Sequence, residues 1–456
     1  MKLARVLDRD WREQVLCTRG LHAGGVAAKA GLFGRAAAAL QDMGVDVGSP
    51  AQACFVPGRI EVLGKHTDYA GGHTIVNAVE QGFCMVASPR EDATVRLRAV
   101  AGGETVEFAM HPELRAAHGH WSNYPMTVAR RLARNFGAAR KGADAAFISD
   151  LPPASGMSSS SAMMIATYLV LARINQLDQT LEHRQVIDSP LALAAYLGTV
   201  ENGQTFGSLL GDQGVGTFGG SEDHTAILCS QPGRLGQFGY CPARFERYIP
   251  MPSGCVFALA FSGVVAEKTG AAQDQYNRAS RLVQTMVKIW RQHTGGAEVY
   301  LEEILAAEPS RSDQLRNLLA NTTMDGFSPD ELVQRFDHYM EENHHIVGPA
   351  GDALADGDLA TFGKLVDRSQ ELTDTLLGNQ VEETVALARM ARELGAHAAS
   401  AFGAGFGGSV WAMIDGEKAD DFLTVWSERY RDAFPAAASR ARFFTTQAAP
   451  AAFALE

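Results

Sequence analysis

The chain is poor in the features that mark a metal-bound, disulfide-linked or membrane-spanning protein. Six cysteines are scattered over 456 residues, at 17, 54, 84, 229, 241 and 255, with no C-x-x-C pair. That spacing argues against a zinc or dithiol motif and fits reduced thiols in a cytoplasmic protein. No apolar run reaches the roughly 18 residues that span a bilayer, so no membrane partner is expected. The first twenty residues are charged and lack the apolar core of a signal peptide. Positive charge is also in deficit, with a formal net charge of -12. Nucleic-acid surfaces are normally basic, so a nucleic-acid partner is not expected either. No internal repeat stands out. What the chain does have is 46% hydrophobic residues, ample for a sizeable core, and a length that suggests two or three domains.

Three segments concentrate the chemistry. The first runs from Pro57 to Gly72 and packs Arg59, Glu61, Lys65, His66 and Asp68 between glycines. Charged side chains are almost never fully buried unless paired, so this run is expected to form a loop rather than a core strand. Its donors and acceptors suit a polyhydroxylated ligand. The second runs from Asp150 to Ile165 and contains Gly156-Met157-Ser158-Ser159-Ser160-Ser161. An apolar strand-like stretch, Ala145 to Ile148, precedes it, and a helical apolar run, Ala162 to Ala172, follows. A small-residue loop that opens a helix offers free backbone N–H groups and the positive dipole end to an anion. Serine hydroxyls there can meet phosphate or magnesium; an ordinary capped helix start is the plainer alternative. The third runs from Ser400 to Met413 and holds a glycine-rich turn, Gly403-Ala404-Gly405-Phe406-Gly407-Gly408. Such turns bring backbone amides close to a ligand, although one alone is weak.

In this order the three segments resemble the motifs of the GHMP kinase superfamily, within its galactokinase branch. The first is similar to G-R-x-N-x-I-G-E-H-T-D-Y, the second to P-x-G-x-G-L-S-S-S-A, and the third to G-x-G-F-G-G. Trp121 and Tyr124 look like a further W-x-x-Y stretch, and His345-Ile346-Val347 and residues 357–365 resemble the helical region before the third motif. The resemblance implies an α+β fold of two lobes, 1–248 and 249–456, with the active site in the cleft between them. It implies an ATP- and magnesium-dependent sugar kinase, acting on galactose or a relative as a monomer or small homo-oligomer.

Roles follow from the same resemblance. Gly156, Met157, Ser158, Ser159, Ser160 and Ser161, with Gly405 and Gly407, are implied to bind ATP. Ser160 and Glu201 are the implied magnesium ligands. Arg59, Lys65, His66, Asp68, Gly220 and Tyr276 are implied at the sugar. The catalytic pair would be Arg59 and an aspartate of a G-x-M-D-Q motif. Two positions compete for that aspartate: Asp212, which keeps the D-Q pair, and Asp223 in Gly220-Ser221-Glu222-Asp223-His224, which keeps the glycine. Asp223 is preferred, and it implies an insertion after Glu201.

Two positions depart from the signature: Glu61 stands for Asn, and Lys65 for Glu. A lysine donates only and prefers an anion. It predicts either a carboxylate-bearing sugar such as a uronate or an internal pair with Glu61. A non-catalytic sugar- and ATP-binding sensor is the alternative outside enzymes. The tail from Gln447 to Ala452, rich in alanine, is expected to fray.

Overall fold

The computed structural model describes residues 1–117, 119–265 and 271–456, with side chains 271–273 outside that description. The fold is α+β, with two sheets that each carry their own helices. The first sheet comprises β1 (Gln52–Leu63), β2 (His73–Pro89), β3 (Thr94–Ala99), β4 (Thr105–Ala109), β5 (Ala143–Ser149), β6 (Arg234–Gly239) and β7 (Arg244–Pro250). The second comprises β8 (Cys255–Phe261), β9 (Ala398–Phe402), β10 (Ser409–Asp415) and β11 (Arg442–Thr446), in the order β11-β8-β10-β9 and antiparallel throughout. A last short strand, β12 (Phe453–Ala454), returns to the first sheet, whose main path is β12-β1-β2-β5-β3-β4.

The long β2 serves two partners. Its start, His73 to Val76, pairs with β6, and its end, Phe83 to Pro89, pairs with β5. Strand β1 shows why a charged sequence is a strand here. In its first half, Cys54 and Val56 face one core while Ala53 and Phe55 face another, the two-residue alternation of a pleated strand. After a register shift between Pro57 and Arg59, Ile60 and Val62 still face the core. Arg59 and Glu61 then fall on the other face, at 3% exposure each. The expectation of a loop is thus overturned: the charges sit buried in a core strand because partners neutralise them, as described below. Only after Leu63 does the chain leave the sheet, through a turn with Gly64 at φ 101°.

The helix expected over Ala162 to Ala172 is present as Ser159–Ile174. Two later helices, Pro329–Met340 and Leu359–Leu372, each run on into a wider π-turn, Glu341–Val347 and Thr373–Leu377. The tail corrects a second expectation. Ala449 N donates to Ala78 O, Ala452 N to Ile227 O and Leu455 N to Ala53 O, and Ala448, Ala449 and Leu455 are buried. Backbone bonds to the first sheet and to the helix Glu222–Cys229 hold this tail down instead of leaving it frayed. A division at 248/249 does not follow the sheets strictly, because β7 of the first sheet runs on to Pro250 and the chain ends on that same sheet.

The two sheets share one core. Phe257, Leu259, Trp411 and Met413 of the second share a core with Ile60 and Val62 of the first and with Met157 of the serine loop. Trp411 Nε1 also donates to Glu61 O across the join, at 3.2 Å. The cleft opens beside this seam.

Candidate active site

Arg59, projecting from β1, is the hub. Its Nε and Nη2 each lie 2.7 Å from Asp223 Oδ1. Its Nη1 donates to Gly156 O at 2.5 Å, and its backbone N donates to Met157 O. One guanidinium therefore joins the aspartate to the serine loop, which suits the planar fork of arginine. Burial alone would lower the Arg59 pKa, but Asp223, Glu222 and Glu61 outweigh it and hold the group protonated.

Asp223 lies in the first turn of the helix Glu222–Cys229, whose dipole favours negative charge there. Beyond it, the Ser161 hydroxyl is 2.9 Å from Glu201 Oε2 and 3.3 Å from Asp223 Oδ2. The sequence put Ser160 in the metal role. The hydroxyl that meets Glu201 belongs instead to Ser161, one helical position further round.

The serine loop has the expected anion-binding form. Gly156 and Ser158 have positive φ, 78° and 56°. The helix Ser159–Ile174 starts with no side-chain cap. The buried hydroxyls of Ser155 and Ser158 have no hydrogen-bond partner. Donors left open at a helix start are what a phosphate satisfies. The third motif packs against this loop: Ser409 Oγ donates to Ser155 O at 2.7 Å, and a Cβ on Gly403 would sit 2.7 Å from Gly156 O. Gly403 and Ala404 line the cleft. Gly405 and Gly407, the positions singled out from the sequence, lie against Asn379 and Val264 instead. Their backbones shape the turn behind the cleft.

The opposite wall carries the predicted sugar residues. His66, Asp68, Gly220 and Tyr276 all line the same cleft as Arg59, Glu201 and Asp223. Asp68 accepts from the amides of Tyr69 at 2.8 Å and Glu222 at 3.2 Å. A Cβ on Gly220 would meet Asp68 Oδ2 at 2.4 Å, so glycine is required there for the carboxylate to approach. Burial pushes the Asp68 pKa up to about 6, against the pull of those two amides. His66 Nδ1 is 3.0 Å from Tyr69 OH, and the His66 ring packs against Tyr276 at 5.6 Å.

Two sequence candidates lie elsewhere. The Lys65 ammonium donates to Ala401 O at 2.7 Å, is buried, and does not line the cleft. It turns toward the second sheet because Glu342, on the π-turn, fixes its backbone by accepting from the amides of Gly64 and Lys65. Its charge acts on Glu61, whose pKa is raised by burial and drawn back by Lys65 and Arg59. Asp212 is structural. Its side chain is 1% exposed, 2.6 Å from Arg130 Nε and 3.5 Å from Arg131 Nη1. With Arg131 donating to Gln204 O and Asn135 to Leu210 O, it pins the segment inserted after Glu201 to the helix Asn123–Asn135.

The main residue that sequence reasoning passed over is Glu222. It is 5% exposed, lines the cleft, and has Arg59 Nε 4.0 Å away. Its pKa is pushed well above the usual carboxylate range by burial, then by Glu61 and Asp68. The signal was present, since an acid stands at the methionine of G-x-M-D-Q.

The chain matches the GHMP kinases N terminal domain over residues 123–220, the GHMP kinases C terminal domain over 352–432, and the galactokinase galactose-binding signature over 45–89. The fold resembles a Lactococcus lactis galactokinase complexed with galactose, with a TM-score of 0.71, 22% identity, and coverage of 88% of this chain and 95% of that one. A Methanococcus jannaschii mevalonate kinase shares it at a TM-score of 0.52 and 12% identity, over 88% and 98% of the two chains. These likenesses define a GHMP kinase fold. Curated relatives narrow the branch: a galactokinase of Chloroflexus aggregans is 28% identical over 84% of this chain and 88% of its own. One of Roseiflexus sp. is 26% identical over 83% and 87%. The chain thus carries matches to both GHMP kinase domains and to the galactokinase galactose-binding signature, the architecture of a phosphotransferase.

Proposed function

We propose that this protein is an ATP-dependent sugar 1-kinase that moves the γ-phosphoryl of ATP to the anomeric hydroxyl of galactose or a close relative. The observation that carries the reading is the bridge made by Arg59, from Asp223 to the carbonyl of Gly156 in the serine loop. It sets a carboxylate for the attacking hydroxyl beside a loop suited to phosphates. Phosphoryl transfer asks little more of a protein than positioned phosphates, neutralised charge and an oriented nucleophile. Asp223 accepts the hydrogen bond of the sugar hydroxyl and can take its proton. Arg59 keeps Asp223 ionised and faces the charge that builds on the moving phosphoryl. The open amides at the start of helix Ser159–Ile174 take phosphate oxygens. Asp68 and His66 hold sugar hydroxyls. Magnesium, if held by Ser161 and Glu201, would neutralise the phosphates; the paired hydroxyl and carboxylate fit a hard cation.

The test is ADP release with ATP and magnesium against galactose, arabinose, N-acetylgalactosamine, fucose, glucose, galacturonate and glucuronate, with Asp223→Ala in parallel. Turnover of one sugar that is lost in the variant supports the reading. Sugar binding with no turnover on any of them would refute it and leave a sensor.

A further inference from the structure

We infer that the sugar this cleft prefers carries a protonated amine, held between Glu222 and Asp68. The inference rests on the sugar-kinase reading above and names its substrate class. It starts from an imbalance of charge. Among the described residues, the cleft is lined by the carboxyl groups of Glu61, Asp68, Glu201, Glu222 and Asp223, against the guanidinium of Arg59 and the imidazoles of His66 and His224, the latter 3.4 Å from Glu201. Arg59 is committed to Asp223 and to Gly156 O. Glu61 has compensation in Lys65. Glu222 has little: its Oε1 is buried with no hydrogen-bond partner, and Arg59 Nε is 4.0 Å away. Asp68 lies against it, bonded to the Glu222 amide. Burial therefore favours the neutral acid at Glu222, and a cationic ligand beside it would draw the proton off and pair with the carboxylate.

The same sign of charge opposes a uronate, since Lys65, the cation that would have held one, points to Ala401 O.

The test is calorimetric titration of the full chain with galactose, galactosamine, the 3-, 4- and 6-amino-deoxygalactoses, and galacturonate, near neutral pH. A charge-assisted hydrogen bond to a buried carboxylate predicts that at least one amino sugar binds about tenfold or more tighter than galactose. Galacturonate should bind more weakly than galactose. Glu222→Gln, which keeps the shape and removes the charge, should bring the amino-sugar preference close to one, with thermal melting to confirm folding. If that variant does not fold, Glu222→Met, which restores the family residue, should likewise bring the preference close to one. Equal or weaker binding of every amino sugar overturns the inference, as does a preference that survives unchanged in folded Glu222→Gln. ADP release is read separately. Galactose turnover without amino-sugar preference sinks the inference and leaves the kinase standing. Amino-sugar preference without turnover does the reverse.

Discussion

The two candidate aspartates make opposite predictions, and replacing each by alanine separates them. Asp212 has a side chain only 1% exposed and faces two guanidiniums, Arg130 at 2.6 Å from Oδ2 and Arg131 at 3.5 Å from Oδ1, and Oδ1 also accepts from Gly214 N at 2.9 Å. Removing it leaves Arg130 and Arg131 without an anion and frees the inserted segment. Loss of one partner from a buried ion pair costs about 3–5 kcal/mol. Asp223 is 19% exposed on the cleft side, and its partner Arg59 keeps Glu222 and Glu61 nearby. Its removal also relieves repulsion among these acids, so the cost to stability should be about 1–2 kcal/mol. For activity the order reverses. Loss of a positioned acid–base group typically costs about 10²–10⁴ in rate, so Asp223→Ala should lose that much kcat while Asp212→Ala, once folded, keeps kcat within a few-fold. Urea unfolding gives the stabilities and ADP release per folded molecule gives the rates. A folded Asp212→Ala protein as inactive as Asp223→Ala, or an Asp223→Ala protein of near-normal kcat, would refute the assignment.

Three further outcomes follow from the same geometry. Ser161→Ala should raise the magnesium concentration needed for half-maximal rate by about 10–100-fold, while Ser160→Ala should change it little; a magnesium titration of ADP release decides between them. Asp68 has a folded pKa of about 6, above the ordinary aspartate value near 4, so its proton is held more tightly in the fold. Its contribution to stability is therefore complete below about pH 4 and is lost as pH rises through 6, at most about 3 kcal/mol; Asp68→Asn should flatten that part of the pH–stability curve measured by urea unfolding. Lys65→Glu would set a carboxylate against Ala401 O and near Glu61 and Glu342, at a cost of about 3 kcal/mol or more, whereas Lys65→Met should remain folded; melting of both proteins checks this, and an unchanged melting point for Lys65→Glu would show that the side chain can turn elsewhere.

Much of the site was legible in the sequence because its parts are local. Gly156 to Ser161 places a loop at a helix start, and the cluster from Arg59 to Asp68 announces hydrogen bonding to a ligand. What was not legible depends on direction and distance. The strand character of Arg59 and Glu61 was hidden because burial of a charge depends on partners at residues 222 and 223, far along the chain. Ser160 and Ser161 are both serines, and only the phase of the helix decides which hydroxyl turns to Glu201. Asp212 and Asp223 each keep half of a motif. The choice follows from Arg130 and Arg131, which bind one, and Arg59, which binds the other. Lys65 was misplaced because nothing local tells that Glu342, held on a π-turn, would rotate its backbone toward the second sheet.

The departures from the family signature make sense together rather than singly. The pattern it resembles carries Asn, Glu and Met where this chain has Glu61, Lys65 and Glu222, so both sets total one negative charge. Here Lys65 offsets Glu61 inside the protein, and the remaining negative charge has moved from the signature turn to the start of the helix Glu222–Cys229. Lys65 is turned to Ala401 O and does not line the cleft, whereas Glu222 does. A carboxylate absent from one wall has thus reappeared on another, beside Asp68 and Arg59. Relocation of charge at constant total alters which atom of a ligand meets an acid, and Glu222 and Glu61 in their places add to the field that holds Arg59 protonated. On the proposed reading, Arg59 and Asp223 serve phosphoryl transfer while Glu222 bears on the choice of sugar.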